Sequence, residues 1–334
     1  MAAGTAVLAS LLLFLWPRGS SSPALAAAVA GAASAATRPE GKAARGKIGA
    51  LGPDADREKL VSYLRSHYGA HIREPYIQIK MLESLIGYFR VRDPEHWEQA
   101  VLDLVLAAFP DRYAEIAANL HHWIDYERWV TEHQGELKGL GEKQRRAAVW
   151  EERKRLFGDA AAQNIWASEL KSQTFADALQ AIDAQGGTVS RKLAQYKESI
   201  EDIYQERSDD FTQRRQQELM DRFLDLESVQ KDLSAESPEE RARSLREIRE
   251  GLGLSEEAIQ RWAVLDGERD ARWDAGARYM QEREALAKQL SGADLEARLK
   301  EVRSRHFGAE AGVIEQEEQG GFFRFTSPRR WGRN

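Results

Sequence analysis

Apolar residues in this chain recur at three- and four-residue intervals from Glu58 onward, and nowhere do they alternate long enough to make a strand. That period admits helices and excludes a sheet, since Val, Ile and Thr never gather into alternating runs. The 42% hydrophobic share is rich in Ala, while 31% of the residues are charged. Such a mix gives each helix a narrow apolar stripe and a broad solvated face rather than a thick core. The expectation is an all-α, elongated multi-helix scaffold in which two small helical domains are joined by an extended helical domain.

Glu58–Tyr68 reads as a short helix, followed by Gln78–Val91 with Ile79, Leu82, Leu85, Ile86 and Phe89 on one face. Pro94 opens a third, along which Trp97, Val101, Leu104, Val105 and Ala108 line up before Pro110 stops it. With Tyr113–His133 these form the first small domain, residues 58–135. Lys143–Phe157 and Ala160–Ala184 are Ala- and Glu-rich helices joined at Phe157-Gly158. Ser190–Leu233 reads as a single rod, roughly 65 Å at 1.5 Å per residue, unless Ser208-Asp209-Asp210 caps a fresh helix there. Its stripe is thin and interrupted by Arg207 and Arg215, so it is expected to bury little against its own chain. These elements make the extended domain, residues 140–235.

Ser237-Pro238-Glu239-Glu240 is a helix start signal, with a cap, a proline in the first turn and two acids. That helix ends near Gly251–Gly253. Ser255-Glu256-Glu257 starts the next, which reaches about Leu290, and Asp294–Phe307 is closed by Gly308. The second small domain is thus residues 236–318. The tail, residues 319–334, is basic and aromatic. It reads as a frayed terminus or, through Phe322-Phe323-Arg324-Phe325 and Arg329-Arg330-Trp331, as a surface for a membrane.

The chemistry-bearing patterns point away from catalysis. No GxSxG, GxxxxGK[ST], HExxH or GxGxxG occurs. Without cysteine, disulfides, thiolate metal sites and a cysteine nucleophile are excluded. His121-His122 with Asp125 could place two ligands on one helix face, but zinc needs a third that the sequence does not offer. No metal and no cofactor is expected. A net charge of −6 gives no general footprint for nucleic acid. Binding has better support: Trp97, Trp123, Trp129, Trp150, Trp166, Trp262 and Trp273 sit on helices, and at least two of them are candidates to line a partner surface.

Residues 1–36 hold two apolar stretches. Ala2–Trp16 is apolar throughout, and Ala24–Ala36 ends in Ala33-Ser34-Ala35, which fits signal peptidase. Ala2–Trp16 is shorter than the roughly 20 residues of a spanning helix, so signal peptide and uncleaved anchor both remain open. Residues 37–57, rich in Gly, Ala and Lys with two prolines, read as a flexible tether.

Two segments share one pattern. In Arg153–Ala161 and in Glu296–Glu318 a basic helix end precedes an aromatic-Gly pair and then an acidic, Ala-rich helix. The Leu156-Phe157-Gly158 segment, the RxRHFG segment Arg303–Gly308 and the Glu268–Arg283 helix before it, in this order, resemble the lipase-specific foldases, the lipase chaperone family. The similarity runs from about Gln78 to Glu318. It implies an inner-membrane anchor at the N-terminus, a periplasmic helical body, and a secreted lipase as one-to-one client, with no enzyme activity of its own. The family's RxxFDY signature falls on Glu83–Tyr88, where Glu83, Ile86 and Gly87 depart from it; Tyr88 and the following Phe89 match. Those two residues are the candidate signature or client-binding positions. The alternative is an elongated helical envelope scaffold that binds without acting as a foldase.

Overall fold

The computed structural model describes residues 56–332, and every regular element among them is helical. The fold is all-α. It comprises two compact units, the first ending at Gln173 and the second beginning at Thr174. The anchor or signal segment, residues 1–36, and nearly all of the linker lie outside the described residues. Among the described residues no helix is long and apolar enough to cross a membrane.

The first unit is built from α1 (Arg57–Tyr68), α2 (Pro75–Arg92), α3 (Trp97–Ala108), α4 (Tyr113–Glu132), a short α5 (Gln134–Gly139), α6 (Glu142–Phe157) and α7 (Asp159–Ile165). Leu64, Ile79, Leu82, Leu85, Val101, Ile116 and Leu120 are fully or almost fully buried in one cluster, which runs on through Ala162 and Ile165 to Trp166. The three-four spacing of α2 thus delivers its stripe to the core as expected. Gln78, also on α2, is fully buried but satisfied. It donates to the Ile72 carbonyl at 2.9 Å and to Glu115 at 2.7 Å, and accepts from Asn119 at 2.6 Å. Two local expectations are corrected. Pro94 does not open α3: Asp93 accepts from the His96 amide at 3.1 Å, closing a turn before the helix starts at Trp97. Nor is Ala160–Ala184 one helix, since it breaks at Trp166 between α7 and α8 (Ala167–Ala184). There the indole, 8% exposed, stacks on Trp123 at 6.4 Å and meets Phe157 edge-on at 5.2 Å.

The second unit overturns the long rod. In place of one helix over Ser190–Leu233 there are α9 (Val189–Tyr204), α10 (Ser208–Leu224) and α11 (Glu227–Ala235). The first break is a 3-10 turn opened by Gln205 at φ 49°, and Ser208 supplies no side-chain cap. A non-glycine residue held in so sparsely populated a backbone region costs about 1–3 kcal/mol. Folding back buries Leu219, Met220, Phe223 and Leu224 to 1% exposure or less against Leu193, Tyr196 and Ile200. Each such side chain contributes about 1.5–3 kcal/mol, so burial outweighs the strain severalfold. The stripe thus buries far more against its own chain than its thinness suggests. The Tyr196 hydroxyl pins the reversal by donating to the Leu219 carbonyl at 3.0 Å.

Three more helices complete the unit: α12 (Pro238–Gly251), α13 (Glu256–Ala287) and α14 (Gly292–Phe307), with a short α15 (Ala311–Gln319) after a 3-10 turn. Ser237 and Glu240 form the reciprocal capping box expected at the start of α12, and Ser255 caps α13. Gly308, at φ 53°, closes α14. The tail is not frayed over its described part, to residue 332. Phe323 is buried with Tyr279, Val302 and Ile314, and the Trp331 amide donates to Gln230 at 2.7 Å. Arg324 pairs with Glu317, Arg329 with Asp270 and Arg330 with Glu227. With Arg324, Arg329 and Arg330 paired and, among its rings, only Phe322 strongly exposed, the described part of the tail is folded onto its own unit.

Candidate functional site

The two signature positions lie near the C-terminal end of α2 and have different surroundings. Tyr88 is 6% exposed, its ring meeting Phe89 edge-on at 5.1 Å and the Arg92 guanidinium at 3.6 Å. Phe89 is half-buried against the first unit's core. Val91, two residues on, is 80% exposed. Glu83 is paired with Lys80 at 2.8 Å, and nothing lies within 4 Å of where a Gly87 side chain would project. A side chain at Gly87 would therefore meet open space, which makes this end of α2 a surface rather than a packed seam.

Both Phe-Gly corners are built around a buried arginine, and the two arrangements match. Arg153, 5% exposed, donates to the Tyr126 hydroxyl at 3.0 Å and to Glu169 at 2.9 Å. Arg303, 3% exposed, lies 3.2 Å from the Tyr279 hydroxyl and donates to Glu318 at 2.8 Å and Glu296 at 3.1 Å. In each case the following Phe-Gly ends the helix: Phe157 packs on Trp166 and His122, Phe307 on Tyr279 and Phe325. Gly158 (φ 78°) and Gly308 (φ 53°) take backbone conformations open to glycine at little cost. Burial works against the charge on both arginines, yet the tyrosine and carboxylate partners outweigh it and hold both pKa values above the ordinary range. Burial likewise raises Tyr126, and it pushes Tyr279 up to about 12 with help from Glu318. These are structural charge clusters that fix two helix corners. Sequence reasoning found the corners but not the clusters, whose partners, Glu296 apart, lie on other helices.

The histidine pair separates. His121 faces Glu98 at 3.4 Å, His122 packs on Phe157, and Asp125 accepts from Arg128 at 3.0 Å. Among the described residues no group of three or more His, Asp or Glu is placed to hold a metal ion.

The tryptophans do not stand out as free anchors. Trp123 and Trp166 are buried, and Trp97, Trp129, Trp150, Trp262 and Trp273 are half-buried. Arginines cover several of them: Arg90 lies 4.4 Å from Trp97, Arg153 4.4 Å from Trp166, and Arg249 4.9 Å from Trp262. Among the described residues the large apolar side chains left in solvent are Val91, Leu106, Val264, Leu265, Val313 and Phe322. Val264 and Leu265 are adjacent on α13, where only Ile259, Gly276 and Tyr279 are buried.

Comparison with known proteins gives one finding. The family model described as proteobacterial lipase chaperone protein matches residues 122–311, more than half of the chain. That match includes both Phe-Gly corners and leaves out Tyr88 and Phe89. No curated protein and no solved structure matches.

Proposed function

The chain belongs to the proteobacterial lipase chaperone family, and on that premise we propose that it is a steric foldase for a secreted lipase. The family match over residues 122–311 carries the reading. The helices are consistent with it, since a foldase must grip a near-native client and then let go. That favours charged, solvated faces with scattered apolar contacts over a sealed hydrophobic interface. The α13 helix has this character, with Val264 and Leu265 exposed among acidic and basic neighbours.

The mechanism is differential binding. A protein that binds the trapped lipase intermediate and the folding transition state equally well accelerates nothing. Every ~1.4 kcal/mol of preference for the transition state speeds the final step about tenfold. No bond-making chemistry is involved. In this reading the end of α2 touches the client through half-buried Phe89 and exposed Val91, while buried Tyr88 holds that surface in shape.

The same reading places the body in the periplasm, tethered to the inner membrane by residues 1–36 through the linker 37–57, with one chain per lipase. Mixing the full chain with the denatured secreted lipase of the same organism, and weighing the product by light scattering, tests this. A one-to-one complex that regains esterase activity is expected. Absence of any complex would contradict the foldase reading.

A further inference from the structure

In the second unit α12, α13 and the tail enclose a cleft of about 830 Å³ whose walls are rich in arginine and tryptophan. Arg241 and Arg329 each lie 3.5 Å from the Trp331 ring centre, which places them on opposite faces, since two guanidinium groups cannot share that distance on one face. Arg249 and Arg269 lie 4.9 and 5.3 Å from Trp262. Leu245, Ile259 and Ala263 also line the cleft.

Charge and hydrogen bonding there are left unbalanced. The acidic residues lining the cleft are Asp266 and Asp270. Asp266 is shared by Arg249 at 2.6 Å and Arg269 at 3.5 Å, and Asp270 is taken by Arg329. Arg241, 8% exposed, donates through Nη1 to the Leu233 carbonyl at 3.0 Å, and no carboxylate among the described residues pairs with it. Four buried donors have no acceptor among the described residues: Arg241 Nε, Arg249 Nε and Nη2, and the Trp331 indole N–H. Arg249 is only 2% exposed. Buried donors are nearly always satisfied, so four in one cleft point to an acceptor that arrives from outside. Stacking on an indole covers the face of a guanidinium and leaves its edge to hydrogen-bond an oxyanion. Burial lowers the pKa of Arg329, and the neighbouring charge of Arg241 pushes the same way against the pull of Asp270, as expected of a cationic pocket short of anions.

We propose that this cleft binds an amphiphilic oxyanion, a carboxylate or phosphate group held by Arg241 and the Trp331 indole N–H with its apolar body along Leu245, Ile259 and Ala263. The Trp331 ring covers Arg241, so the segment carrying Trp331 lifts to admit the ligand. Calorimetric titration of the full chain with octanoate, octyl phosphate, acetate and inorganic phosphate tests this and separates the sources. At least one octyl compound should bind about tenfold or more tightly than its bare counterpart, because an octyl body carries several buried methylenes. Arg241→Gln should weaken that binding about tenfold or more, and Trp331→Ala should weaken it without removing the arginines. Arg261→Gln, an exposed α13 residue paired with Glu257, should leave it unchanged. The proposal is overturned if neither octyl compound binds, if bare ions bind equally well, or if a folded Arg241→Gln chain binds like the parent.

Discussion

Arg303 and Arg298 lie on the same helix and illustrate how far burial governs the worth of a charge. Arg303 is 3% exposed and engages Glu318, whose side chain is 9% exposed; Arg298 and Glu301 form a pair with both side chains more than half in solvent. Replacing Arg303 by Ala removes the buried partner of Glu318, which keeps Arg283 at 2.9 Å and the Tyr279 hydroxyl at 2.8 Å, and should cost about 1.5–3 kcal/mol of unfolding free energy. Arg298→Ala should cost less than about 1 kcal/mol. Urea titrations of the two variants check the contrast. The tyrosines give a pH dependence. Tyr126, Tyr196 and Tyr204 are raised by burial, and Tyr279 stands at about 12 against an ordinary 10.0. A folded-state pKa above the unfolded one means stability that is intact below the unfolded value and lost as pH rises through the folded one. Stability should therefore hold to about pH 10 and fall as pH climbs toward 12, and Tyr279→Phe should flatten part of that fall. The sequence showed where the corners were because Phe-Gly is a local signal. It did not show the clusters, because Tyr126 and Arg153 are 27 residues apart and Tyr279 and Arg303 are 24. No local period reports a separation of that kind.

Helix starts were legible wherever a side chain does the capping, as at Ser237 and Ser255. Chain reversals were less so. The break after Tyr204 has no glycine or proline to announce it; the Ser208-Asp209-Asp210 alternative marks where α10 starts, although without a side-chain cap, and the reversal exists because Phe223 and Leu219 need Tyr196 and Ile200 to pack against. The folded tail was hidden for the same reason: its partners, Asp270, Glu227 and Gln230, lie far away in sequence. Two glycines of α13 test how the tail is held. A Cβ on Gly276 would sit 2.3–2.6 Å from the Phe325 ring, whereas one on exposed Gly267 would meet nothing within 4 Å. Gly267→Ala should stabilise by about 0.5–1 kcal/mol through helix propensity. Gly276→Ala gains the same propensity but forces Phe325 aside, an overpacking cost of about 1–3 kcal/mol. The two variants should shift the melting temperature in opposite directions. A stabilised Gly276→Ala chain would mean that the tail does not rest on α13.

For the molecule as a whole, the all-α class followed from a single period in the sequence, and the family from the order of its helical segments. A partner surface was less legible, because several of the tryptophans that looked like anchors are sheltered by arginines, while the large apolar side chains exposed among the described residues are Val and Leu on helices and Phe322 in the tail. A Val264→Asp, Leu265→Asp double variant should lower foldase activity severalfold with its own stability almost unchanged, checked by lipase reactivation beside a thermal melt of the chain alone. The most direct test of the central claim is the rate at which denatured cognate lipase regains esterase activity with and without the full chain. The foldase account predicts that recovery is fast only when the chain is present during folding, with no gain when it is added to lipase that is already native. Equal recovery with and without the chain would contradict it.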